Sequence, residues 1–198
     1  SIVRGQSGVK VQNGGTVTVT SIFPISEGAI TGIGLQGETG GSATVKGDIT
    51  NVNGVPISLM GGATAHVIGS VSARHGIVVQ QTGSLATIDG NINATADTGA
   101  YVTNGGAIVV NGNVTAATRG VLGGYAGGTV RVKGDVTATR WEGIYAYSDS
   151  DIVVDGSVTS AYGLYAHGEG TTVLVKGSTV TTSATVESSS DPTYGAYA

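Results

Sequence analysis

Between Gly105 and Ser148, hydrophobic and polar residues alternate in short bursts, each ended by a glycine or a polar corner. In residues 127–148, GGTVRVKGDVTATRWEGIYAYS, Val130 and Val132 alternate with Thr129, Arg131 and Lys133. A period of two marks a strand with one buried face. Gly134-Asp135 turns the chain, and Val136 and Ala138 then alternate with Thr137 and Thr139. After a corner at Arg140-Trp141-Glu142-Gly143, Ile144 and Ala146 alternate with Tyr145 and Tyr147. Three strands and three corners fill these 22 residues, and nothing in them has helical periodicity.

The pattern returns along the chain. Gly47, Gly69, Gly90, Gly112, Gly134, Gly156 and Gly177 are separated by 22, 21, 22, 22, 22 and 21 residues. So strict a period means one supersecondary unit stacked many times, each copy burying its apolar face against its neighbours. Four residues before the anchors stand Ala43, Ala65, Ala86, Ile108, Val130, Ile152 and Val173, and two before them Val45, Val67, Ile88, Val110, Val132, Val154 and Val175. Two after the first six anchors come Ile49, Val71, Ile92, Val114, Val136 and Val158, with Ala73, Ala94, Ala116 and Ala138 four after the middle ones. The third strand supplies Val55, Ile77, Ala100, Val121, Ile144 and Leu164. These columns suit a narrow interior of stacked aliphatics, with Thr, Ser, Asn, Lys, Arg and Tyr facing solvent.

The predicted fold is all-β: a parallel β-helix of about eight coils, three short strands per coil, each strand pairing with its equivalent roughly 4.8 Å away. An up-and-down barrel or propeller needs antiparallel hairpins, whereas these columns repeat in one direction. The whole of 1–198 reads as one domain, with irregular first coils over 1–39, regular repeats over 40–177 and a last coil over 178–198. Gly8 to Gln12 resembles a third strand, and residues 14–39 a longer coil with an extra Phe23-Pro24-Ile25-Ser26 corner. Ser188 to Thr193 reads as an inserted loop before a Tyr194–Ala198 strand. Neither end offers a helix or charged strand to cover the sheet edges. Such edges invite pairing, so the natural protein is expected to continue beyond one or both ends.

Composition narrows the classes. The 198 residues include 35 Gly and only 3 Pro, without a G-X-Y step, which excludes collagen. Dense β-branched content argues against a flexible linker. A net charge of −4 leaves no electrostatic footprint for nucleic acid. No apolar run approaches the roughly 18 residues of a membrane span, so no membrane insertion is expected for this segment. Cysteine is absent, which removes disulfides, thiolate metal sites and thiol catalysis.

Candidate chemistry sits on the polar columns. Asp48, Ser70, Asn91, Asn113, Asp135, Ser157 and Ser178 follow the anchors; such residues favour tight corners and bond their own backbone. One position before the anchors come Lys46, Asp89, Asn111, Lys133, Asp155 and Lys176, and Lys133 is expected to pair with Asp155. Asp149, Asp151 and Asp155 form a local acidic group, but without a calcium-binding nonapeptide array no metal site is predicted. His66, His75 and His167 fall in different columns and read as solvated surface. Asp135 and Glu142 lie on different corners, so paired-carboxylate glycoside cleavage is not expected. Thr115, Thr137, Thr159 and Thr181 make an exposed column, but its neighbour (Arg74, Thr95, Ala117, Thr139, Ala161) breaks the flat Thr array that ice binding needs. No cofactor is implied.

The aromatic residues are the least uniform feature. Nine of the ten lie between Tyr101 and Tyr197. Tyr101, Tyr145, Tyr165 and Tyr197 fall in one outward column of the third strand, with Leu122 between, and Tyr147 has His167 as its equivalent. The adjoining corner adds Arg119, Arg140, Trp141 and Tyr162. Exposed rings beside arginine suit stacking on sugars or docking a protein; stacked tyrosines also stabilise strand ladders by cross-strand packing. Tyr101, Arg140, Trp141, Tyr145, Tyr147 and Tyr165 are the candidate ligand-binding residues.

The repeats GGAIVVNGNVTAATRGVLGGYA (105–126) and GGTVRVKGDVTATRWEGIYAYS (127–148) resemble the β-helical repeats of large bacterial surface proteins. These include autotransporter passenger domains and wall-anchored adhesins. The resemblance covers residues 40–177 well and the flanks loosely. It implies a right-handed helix, since left-handed ones usually run on hexapeptides, and export to the bacterial cell surface. It further implies use as a non-enzymatic stalk or adhesive face toward a glycan or protein of a host or neighbouring cell. A carbohydrate-binding module using the Tyr/Trp stripe is the alternative, and a polysaccharide lyase or hydrolase a third reading.

Overall fold

The structure, a computed structural model, describes residues 7–22 and 33–181. Among them every regular element is a strand, and every strand pair is parallel. Strands of one coil, such as Gly128–Val132, Val136–Ala138 and Ile144–Tyr147, join three different sheets. The first sheet has eight strands from Thr16–Val19 to Thr172–Val175. The second has seven, from Ile49–Val52 to Thr179–Thr181, and the third eight, from Ser7–Val11 to Leu164–His167. The chain is a parallel β-helix with three strands per coil. The expected Phe23–Ser26 corner, the Ser188–Thr193 loop and the Tyr194–Ala198 strand, Tyr197 included, lie outside the described residues.

Register converts sequence distance into height along the stack. Ala86 pairs with Ile108, Ile108 with Val130 and Val130 with Ile152 in the first sheet, and Val114 with Val136 and Val136 with Val158 in the second. These aliphatics fill the interior: Ile88, Ile108, Ile144 and Ile152 are fully buried. Each such side chain contributes about 1.5–3 kcal/mol by leaving water.

Two columns differ from expectation. Continuing the register of Ser58 with Val78 places Ile57, not Val55, beside Ile77; Val55 pairs with Ile33 and is only half-buried. The corner before the third strand varies in length, so a fixed offset from the anchor misplaces it. In the second sheet Thr159 pairs with Val180, and Thr181 lies opposite Ser160. The last anchor step is 21 residues, which moves the Thr column's final place to Val180.

The anchor column is glycine because the coils touch there. Gly112 N donates to Gly90 O at 3.2 Å and Gly134 N to Gly112 O at 3.1 Å. A Cβ on Gly90, Gly112 or Gly134 would come within 2.6–2.7 Å of the backbone oxygen of the anchor one coil below. Beside this seam runs a ladder. The side chains after the anchors do not bond their own backbone; from Asp48 to Ser157 each accepts the N–H of its equivalent one coil on. Asp48 Oδ1 accepts from Ser70 at 2.7 Å, Asn91 Oδ1 from Asn113 at 2.8 Å, Asn113 Oδ1 from Asp135 at 2.8 Å and Asp135 Oδ1 from Ser157 at 2.7 Å. Ser70 and Ser157 accept in the same way through Oγ. A strictly repeated spacing makes this inter-coil bond available at every level, and it wins over the local turn bond.

Candidate functional site

The third sheet carries the aromatic residues outward. Tyr101 pairs with Leu122, Leu122 with Tyr145 and Tyr145 with Tyr165, while Tyr147 pairs with His167. Parallel in-register pairing therefore stacks rings from successive coils. The Tyr145 and Tyr165 rings lie 4.5 Å apart at 10°, and Tyr165 and His167 6.2 Å apart at 17°. Tyr147 meets Tyr145 edge-on at 5.6 Å and Tyr125 edge-on at 5.5 Å.

Gly124 explains how Tyr147 fits. A Cβ there would sit 2.6 Å from the Tyr147 hydroxyl and 2.7 Å from Cζ, so the ring lies over bare backbone. Burial, reinforced by the neighbouring Tyr101, Tyr125 and Tyr145 hydroxyls, pushes the Tyr147 phenol above its ordinary value. Tyr125 follows on the corner with φ 34, a left-handed conformation uncommon for a bulky side chain, and is 69% exposed.

Arg119 ties the strand to the corner. It lies between Val114–Ala116 and Val121–Gly124, and its Nε donates to Glu142 Oε2 of the next coil at 2.8 Å. Its Cζ is 4.6 Å from the ring centroids of both Trp141 and Tyr145, a double cation–π contact. Between Arg119, Leu122 and the four rings of Tyr125, Tyr145, Tyr147 and Tyr165 opens a groove of about 430 Å³, which His167 also lines.

Of the six candidates, Tyr145, Tyr147 and Tyr165 line this groove, and Trp141 joins it through Arg119. Tyr101 instead borders a smaller hollow of about 180 Å³ with His75, Asp97 and Thr98. Arg140 is exposed on the corner, with no ion pair or ring contact among the described residues. Tyr125 is the residue that column-counting missed. It lies on a corner rather than a strand, but the Gly123-Gly124 pair opposite Ala146-Tyr147 signals room for a ring there.

Several other charged groups are paired away from the groove. His66 and His75 are not simply solvated: His66 Nε2 lies 2.8 Å from Asp89 Oδ2 and His75 Nδ1 2.8 Å from Asp97 Oδ2, each one coil on. Hydrogen bonds from His66, then Asn111, hold the Asp89 carboxyl below the usual value. For Asp97, burial pushes upward, but hydrogen bonds from His75, the Thr98 amide and Thr118 outweigh it and the carboxyl ends lowered. Asp155 pairs with Lys176 at 2.7 Å rather than with Lys133, and Asp151 with Arg131 at 3.4 Å. Asp135 serves the ladder and Glu142 serves Arg119. Among the described residues no group of three or more His, Asp or Glu is placed to hold a metal ion. Compared with known proteins, the chain matches no protein-family model, no curated protein and no solved structure.

Proposed function

We propose that the chain is a non-enzymatic, extracellular β-helix of a bacterial surface adhesin-like protein, a structural rod with one adhesive face. The observation that carries this reading is where the polar groups go. All six ion pairs among the described residues, from Lys10–Glu38 to Asp155–Lys176, join neighbouring coils, as does every rung of the ladder. Catalysis by a lyase or glycosidase needs acid and base groups converging on one cleft. Here the carboxylates are spread apart, and Glu38, Asp48, Asp89, Asp97, Asp135, Glu142, Asp151 and Asp155 each stitch one coil to the next. The aromatic groove is the place where side chains face outward together, and it is the surface offered to a glycan or protein of another cell.

The test is attachment. Beads coated with the chain should adhere to cell surfaces, and Trp141→Ala should reduce adhesion while leaving the far-UV β signal intact. Beads that attach to no bacterial or epithelial surface would overturn the reading. So would conversion of a polyuronate to an unsaturated product in the presence of calcium.

A further inference from the structure

We infer that the aromatic groove is a glycan subsite that takes a neutral, β-linked hexopyranose chain lying along the rod axis. The inference rests on the adhesive reading only in treating this face as the one that binds. Its first support is spacing. Leu122, Tyr145 and Tyr165 occupy successive outward places in one column, so their side chains rise by one coil, roughly 4.8 Å, at each step. A flat β-1,4-linked ribbon advances by a similar length per sugar, so successive units meet successive coils. An α-linked chain curls away from a flat sheet. The groove, at about 430 Å³, falls within the roughly 300–1,000 Å³ of small-ligand sites.

Chemistry gives the second support. A pyranose has an apolar C–H face and a rim of hydroxyls; the faces of Tyr145 are covered by Tyr165 and Arg119, so the groove offers it the exposed Tyr125 ring beside the edges of the stacked Tyr145 and Tyr165 rings. Tyr125 sharpens the point. The Tyr145–Tyr165 stack already supplies the cross-strand packing that a ladder can use. The Tyr125 ring adds little burial, yet it lines the groove from an exposed corner.

Charge selects the ligand class. Arg119 is the one permanently charged side chain lining the groove, and Glu142 neutralises it at 2.8 Å. A nearly neutral groove offers a uronic or sialic acid no unpaired cation. A protein partner fits less well, because it needs about 800 Å² per side. Toward the N-terminus the same outward column turns to Val78, Ser58, Gln36 and Lys10, so the aromatic surface stays local.

Trp141, the only tryptophan, touches the Arg119 that also covers Tyr145, and its emission reports on the groove. Titration with cello-, manno- and chito-hexaose should give a saturable emission change with at least one series, and a malto-hexaose or oligouronate should give less. Tyr145→Ala and Tyr125→Ala should each weaken binding about tenfold. Tyr125 is exposed on a corner, so its variant should unfold at the wild-type temperature and keeps the test valid if Tyr145→Ala does not fold. No emission change with any of the three neutral β-linked series would overturn the inference. Equal or tighter binding of the acidic or α-linked chains, or indifference to both substitutions, would also overturn it. Bead attachment that persisted through such a result would leave the rod standing and remove the glycan.

Discussion

At the anchor-glycine corner the coils from Gly69 to Gly177 repeat one contact, glycine on glycine with a side chain bonded to the amide above. On the third sheet no two neighbouring coils between Ala100 and His167 present the same outward pair: Tyr101 with Thr103, Leu122 with Gly124, Tyr145 with Tyr147, Tyr165 with His167. The coils and the pairing geometry are the same in both places. What differs is whether each coil holds the next in the same way, as the ladder does, or by a contact made once, as the Tyr145–Tyr165 stack is. In a stack, uniform columns are set by the neighbour above and below, because each residue must match its own copy. A column that changes from coil to coil is free of that demand, and its residues are available for something outside the rod.

The sharpest way to break this comparison is to put a side chain into the seam. Gly112→Val would drive its Cβ into the Gly90 backbone and the Asn91 carboxamide, separating two coils in mid-stack. Destabilisation of about 3 kcal/mol is expected in urea or thermal unfolding. Gly62 is the control: nothing lies within 4 Å of its Cβ position, but its φ is +76. Gly62→Ala should cost about 1 kcal/mol, from backbone strain alone. A reversed order would mean that the anchor column is glycine for conformational freedom rather than for close approach.

A smaller effect comes from the ladder. Asn113→Ala removes the acceptor that the Asp135 N–H uses at 2.8 Å, and about 1 kcal/mol should be lost. Asn113→Asp keeps an acceptor at a place where Asp48 and Asp135 already serve in other coils, and should lose much less. If both variants fall equally, the rung depends on the amide rather than on an oxygen at the right height.

The same contrast explains what the sequence made legible. Uniform columns are visible as a period, so the first and second strands and their inward residues, Ile108 and Val136 among them, can be placed by counting from the glycines. The third strand begins 8, 9 or 10 residues after the anchor, as Ile77, Val121 and Ile144 show, and counting placed Val55 where Ile57 belongs. Its outward tyrosines were still found, because Tyr145 and Tyr165 align through their own strand pattern. The groove was only half legible. Arg119 reaches it from a corner by spanning to the next coil, and Tyr125 from a left-handed corner whose equivalents Gln81, Asn104 and Ser148 carry no ring, so neither side chain stands in a column that repeats. Arg140 shares its corner with Trp141 but has no partner among the described residues that would draw it to the groove.

Titration separates the carboxylates that join coils from the aromatic face at opposite ends of the pH scale, with the smallest effects. Asp89 and Asp97 have folded pKa values below the ordinary 3.8, so each carboxylate binds protons more weakly in the folded chain than in the unfolded one. The stability they contribute is present above pH 3.8 and is lost as pH falls through the lowered folded values. Both carboxylates are a third to a half exposed, so solvent screens the effect and a modest decline in unfolding temperature is expected. Asp89→Asn should flatten part of that decline while leaving the neutral-pH fold intact. Tyr147 runs the other way. Its phenol is raised, so the neutral form is favoured by folding, and its contribution holds below pH 10.0 and is lost as pH climbs past it. Phenolate absorbance should therefore show one tyrosine titrating late, and Tyr147→Phe should remove that late phase without altering the acid limb. An acid limb that moved with Tyr147→Phe, or a late phase that survived it, would mean that the coil-joining carboxylates and the aromatic face are not independent parts of the rod.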